Sequence, residues 1–174
     1  MTSRQKRNWT IKHGEPLTEL DKKILSYQNK GILVPRRDMI KTPEQIEGIR
    51  RSGAVNTGVL DLVEQEIHAG MTTADIDKLV YDYTVSHGAI PAPLNYEGFP
   101  KSVCTSVNEV VCHGIPSEFE VLQEGDIINV DVSTILDGYY SDASRMFIIG
   151  QTTPEKEKLV RVTKECLEIG AQAA

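Results

Sequence analysis

The stretch INVDVSTILDGYYSDASRMF, residues 128–147, does most to limit what this chain can fold into. Asp137-Gly138 separates two alternating runs, which is a strong signal for a hairpin with a two-residue turn. If Leu136 and Tyr139 close that turn, Ser133 faces Asp142 and Asp131 faces Ser144. Both aspartates then share one face of the sheet as diagonal neighbours, about 7–8 Å apart at Cα. Aspartate is depleted in strands and costly to bury unpaired. Two carboxylates this close repel, and the pKa of one of them rises. One divalent cation, or a pair of them, removes the conflict, because hard cations take oxygen ligands. On spacing alone, a solvated hairpin with ordinary surface charges is an equal alternative.

The rest of the chain supplies helices to cover such a hairpin. Thr42-Pro43-Glu44-Gln45 reads as an N-cap, a first-turn proline and a capping box. Ile46, Ile49, Gly53, Val59, Val63 and Ile67 then recur at helical spacing, and Gly70 stops the run. A second helix starts at Thr72 or Thr73, carries Ile76, Leu79, Val80 and Tyr83, and ends at His87-Gly88. Residues 89–102, with three prolines, read as a loop. Ser102–Val107 and Val110–Cys112 read as short strands around Asn108-Glu109, and the hairpin strands as roughly 127–136 and 139–149. A last helix opens at Thr153-Pro154 with Leu159, Val162, Cys166, Ile169 and Ala173 on one stripe. That stripe points at no later sequence, so a chain cut short is expected.

Residues 1–40 read as an N-terminal extension. It holds the basic cluster RQKR, a short helix capped by Thr18 and Asp21 that carries Leu20, Ile24 and Leu25, and an extended ILVP segment. The sequence of 174 residues suits one domain, and the net charge of -6 argues against nucleic acid as the main partner. Three cysteines, Cys104, Cys112 and Cys166, form an odd set without a CxxC, which suggests reduced thiols in the cytoplasm. The N-terminus lacks the apolar core of a signal peptide, and no run of 18 apolar residues exists to enter a membrane.

Two blocks carry a family resemblance: NYEGFPKSVCTSVNEVVCHGIP, residues 95–116, and INVDVSTILDGYYSDASRMFIIG, residues 128–150. Both resemble type I methionine aminopeptidases, and the similarity runs from Ile40 to the last residue. The resemblance implies the α+β pita-bread fold, with residues 41–174 as the N-terminal portion of the catalytic domain. It implies removal of the initiator methionine from nascent polypeptides with two divalent ions, of manganese, iron, cobalt or zinc. Asp131 then matches an aspartate chelating one metal, and Asp142 one bridging both. His113 matches a catalytic histidine that contacts substrate, and Tyr96, Phe99 and Cys104 match positions lining the methionine pocket.

The family's remaining ligands, one histidine and two glutamates, have no match here, and His13, His68 and His87 lie in the wrong elements to replace them. About half a catalytic site is therefore expected, with little peptidase activity from the 174 residues alone. A non-catalytic binding module of the same fold and a proline-specific peptidase of the superfamily are the competing readings. The ribosome is a candidate partner for residues 1–40, on the strength of RQKR alone.

Overall fold

The computed structural model describes residues 16–34 and 39–173. RQKR, His13 and the Arg36-Arg37-Asp38 linker lie outside them. The chain forms two compact units, Met1–Ile46 and Glu47–Ala174. In the first, helix α1 spans Glu19–Asn29. Thr18 and Asp21 cap it reciprocally: the Asp21 amide donates to Thr18 Oγ1 at 3.1 Å, and the Thr18 amide donates to the Asp21 carboxylate at 3.1 Å.

The second unit is built on a central strand. Helix α2 covers Pro43–Glu66 and α3 covers Thr73–Ser86. The strands are β1, Ile90–Pro91; β2, Cys104–Val107; β3, Ile127–Leu136; and β4, Tyr139–Ile148. Helix α4, Pro154–Ala173, comes last. All pairings are antiparallel. Strand β4 pairs with the whole length of β3, so β1 and β2 share its other edge, β1 at Thr134–Ile135 and β2 at Ile128–Asp131. Among the described residues, no helix is long and apolar enough to cross a membrane.

Alternation in β3 divides the sheet into two faces. Ile128, Val130, Val132 and Thr134 are buried on one, where Val59, Leu60 and Val63 of α2 and Ile76 and Val80 of α3 complete the core with Phe147. Full burial of each such aliphatic side chain contributes about 1.5–3 kcal/mol. Asn129, Asp131 and Ser133 stand on the other, open face.

The hairpin, the start of α2, both ends of α3 and the capping boxes at Thr18 and Thr42 match the sequence reading. Helix α2 ends at Glu66, short of the stop expected at Gly70, and three further details depart. Ile90–Pro91 is a short edge strand rather than loop, with proline tolerated at the sheet edge. Val110–Cys112 is not a strand. The chain turns at Asn108, φ 49°, and again at His113, φ 56°, which breaks any pleat. In the first half of α2, Ile46 and Ile49 are 42% and 36% exposed, and Gly48, Ser52 and Asn56 are buried in their place. Ser52 and Asn56 bond to hairpin carbonyls, so the inward face there is polar. Helix α4 buries none of its residues, and Leu159, Leu167 and Ile169 are exposed.

Candidate metal centre

The turn decides where the carboxylates stand. Asp137 and Gly138 both have positive φ, 52° and 80°, as a type I′ turn requires, and glycine adopts this at no steric cost. The resulting register sets Asp131 opposite Ser144 and Ser133 opposite Asp142. The two aspartates are diagonal neighbours on the open face. On its other edge β3 brings Cys104 directly opposite Asp131. Cys104 and Asp131 thus stand side by side on neighbouring strands, with Asp142 one diagonal step away on the third.

Electrostatics among these three are unfavourable to the anion. Burial holds the Asp131 carboxyl above its ordinary value, and the charge of Asp142 adds to the effect, while His113 partly offsets it. Burial also raises the Cys104 thiol, with Asp131, Cys112 and Asp142 adding to it in that order. The Ser133 hydroxyl donates to Oδ1 of Asp142 and steadies that carboxylate. Among the described residues neither aspartate is ion-paired with a lysine or arginine. Arg145 of β4 faces the helix side of the sheet, where it pairs with Asp61 at 2.9 Å and Glu64 at 2.6 Å.

Two hard oxygen donors on one face, one of them disfavoured as an anion by the other, suit a divalent cation. Among the described residues no group of three or more histidines, cysteines, aspartates or glutamates gathers to hold a metal. Asp131 and Asp142 therefore fit a divalent ion as part of a ligand set. His68 and His87 sit at helix ends, where each ring Nδ1 lies 2.7–2.8 Å from a carbonyl oxygen, of Glu66 and Tyr83 respectively.

His113 is exposed, and the segment that carries it is docked on β2 through its neighbour. The Thr105 amide donates to the Gly114 carbonyl at 2.9 Å, and the Gly114 amide donates to Ser106 Oγ at 3.2 Å. A Cβ on Gly114 would lie 1.9 Å from the Thr105 carbonyl oxygen, so only glycine permits this approach. Tyr96 and Phe99 sit on the loop after β1, in and just beyond a 3-10 turn at Tyr96–Gly98. The Asn95 amide donates to the Phe99 carbonyl at 2.8 Å, and the Tyr96 amide donates to that of Pro93 at 3.0 Å. Tyr96 is 67% exposed and Phe99 half-buried.

The sequence reading passed over two contributors. Ser133 looked like a strand serine, although its place opposite Asp142 followed from the turn. Gly114 gave no signal beyond its position after a histidine.

Residues 47–174 match the metallopeptidase family M24. A methionine aminopeptidase A of Synechocystis sp. is 51% identical over 129 residues, which are 74% of this chain and 51% of that protein. A methionine aminopeptidase of Escherichia coli is 47% identical over 74% of this chain and 49% of its own length. The crystal structure of methionine aminopeptidase from Rickettsia prowazekii superposes with a TM-score of 0.71 at 44% identity, covering 72% of this chain and 50% of that one. The chain spans about half the length of the curated relatives it matches. Its α+β architecture is that of the pita-bread fold.

Proposed function

This chain belongs to metallopeptidase family M24, and from that premise we propose that it supplies one half of a dimetal methionine aminopeptidase. Residues 41–174 form the N-terminal portion of the catalytic domain. The substrate class is a peptide or nascent polypeptide with an N-terminal methionine, and the compartment is the cytoplasm. The observation that carries the reading is the placement of Asp131 and Asp142 on one open sheet face, where among the described residues no lysine or arginine is ion-paired with either.

Divalent ions, when bound, supply Lewis-acid polarisation of a carbonyl and a water of lowered pKa. Manganese, iron, cobalt and zinc all suit a carboxylate-rich set that histidine completes. Asp131 and Asp142 would hold the ions, and the bond from Ser133 orients the second carboxylate. His113, on a segment tied to β2, donates a hydrogen bond to the scissile amide as negative charge develops there. Tyr96, Phe99 and Cys104 form the wall for an unbranched thioether, whose sulfur gains from contact with an aromatic ring.

The test compares the 174-residue chain with the same chain extended by the second half of the Escherichia coli relative. Methionine release from a Met-Ala-Ser peptide is measured with added Mn²⁺. Release is expected from the extended protein, little from the chain alone, and none after Asp131→Asn or Asp142→Asn. An extended protein that cleaves equally well with both aspartates replaced would sink the reading.

A further inference from the structure

The two carboxylates have a counterpart on the reverse side of the sheet. Asn56, in the middle of α2 and 1% exposed, lies against the helix-facing side of the hairpin. Its Nδ2 donates to the carbonyl of Val132 at 2.7 Å and to that of Ser141 at 3.1 Å. Val132 directly follows Asp131, and Ser141 directly precedes Asp142. In the observed register, Asp131 to Asp142 and Val132 to Ser141 are equal diagonals of the ladder, one rung apart. One NH₂ group therefore clasps the two strands beside the diagonal whose opposite face carries both carboxylates.

Two further details point the same way. Ser52, one turn earlier, bonds the Thr134 carbonyl at 3.2 Å and shares a hydrogen bond of 2.8 Å with the Ser141 hydroxyl. Helix α2 thus holds β4 through both the backbone and the side chain of the residue before Asp142. Oδ1 of Asn56 is buried with no protein partner among the described residues. A buried unpaired oxygen is destabilising, and an alanine or leucine at this position would avoid it. The side chain's contribution lies in its two donors, both of which are used.

We propose that Asn56 is a positioning residue for the carboxylate pair: its amide holds in place the offset of β3 against β4, set by the turn, that lets Asp131 and Asp142 reach a common divalent centre. The inference rests on the reading of those aspartates as metal ligands, but its geometric half stands without metal. The experiment has two arms, using Asn56→Ala, Asn56→Leu, which preserves volume without the donors, and Val80→Ala as a core deletion on the other helix. In the metal-free arm, NMR follows the backbone amides and cross-strand contacts of residues 131–133 and 141–144. In the second arm, calorimetry measures Mn²⁺ affinity.

Both Asn56 variants are expected to displace the 131–133 and 141–144 resonances and to weaken Mn²⁺ binding about tenfold or more. Val80→Ala is expected to lower Tm while leaving both readouts as in the parent. Asn56 variants that lose thermal stability alone, with hairpin contacts and Mn²⁺ affinity unchanged, would overturn the proposal. If the parent protein binds no Mn²⁺, the metal reading fails on that result. The NMR arm then decides the inference by itself: a displaced hairpin supports it and an undisturbed one ends it.

Discussion

Ser133 stands directly opposite Asp142 in the hairpin ladder, and its hydroxyl donates to that carboxylate. Removing the hydroxyl leaves Asp142 free to rotate away from a shared cation. Ser133→Ala is therefore expected to weaken Mn²⁺ binding about 10–100-fold. Stability should change by roughly 0.5 kcal/mol or less, as for other substitutions at accessible positions. Calorimetric titration beside a thermal melt checks both, and unchanged affinity would separate Ser133 from the site.

Gly114 lets the His113 segment lie against β2. A methyl group there would sit 1.9 Å from the Thr105 carbonyl oxygen, a backbone atom that cannot swing aside. Gly114→Ala is expected to lower stability by about 1–3 kcal/mol, the range for overpacked sites. It should also shift the ring resonances of His113. A denaturant midpoint equal to that of the parent would show that the contact yields easily.

The cap of α3 gives a pH dependence of known sign. The Thr72 hydroxyl and amide hydrogen-bond Asp75 and hold its carboxyl below the ordinary 3.8. A depressed folded-state pKa gives stability that is present above the unfolded value and lost as pH falls through the folded one. The stability deficit of Asp75→Asn should be full at neutral pH and shrink on acidification below pH 3.8. Thr72→Ala should cost about 0.5–2 kcal/mol as a lost N-cap. Melts of parent and variants at neutral pH and below the window provide the check.

Cys104 differs from the other two thiols. Burial, then the charge of Asp131, raises its pKa above the ordinary 9.0, whereas Cys112 and Cys166 are exposed. Alkylation by iodoacetamide at mildly alkaline pH should be slowest at Cys104, since the thiolate is the reactive form. Asp131→Asn should speed it. Mass spectrometry of the labelled peptides reads each rate, and equal labelling of all three cysteines would contradict the arrangement described on the open face.

The hairpin was legible because its information is local. Asp137-Gly138 names the turn, the turn fixes the register, and the register places Asp131 and Asp142 on one face. The helix caps are local in the same sense: Thr42 with Gln45 and Thr72 with Asp75 bond across three residues. What escaped depends on contacts distant in sequence. Val110-Val111-Cys112 has the composition of a strand, but Gly114 docks on Thr105 and Ser106 and the chain turns away. Asn56 resembles a surface residue of a helix until the carbonyls of Val132 and Ser141 are known to lie beside it. Ile46 and Ile49 fit an apolar stripe better than Ser52 and Asn56 do, so periodicity alone favoured the wrong side of α2.

The parity of β4 joins foldability to chemistry. Phe147 pairs with Ile128 on the buried side, and Asp142 lies five residues away, hence on the opposite side. One residue inserted into the Asp137-Gly138 turn would reverse β4 relative to β3. It would expel Phe147 and withdraw Asp142 from Asp131 in the same movement. A one-residue slip of this hairpin therefore opens the core and parts the aspartates together, so sealing of the interior screens that error out of the cation-facing surface.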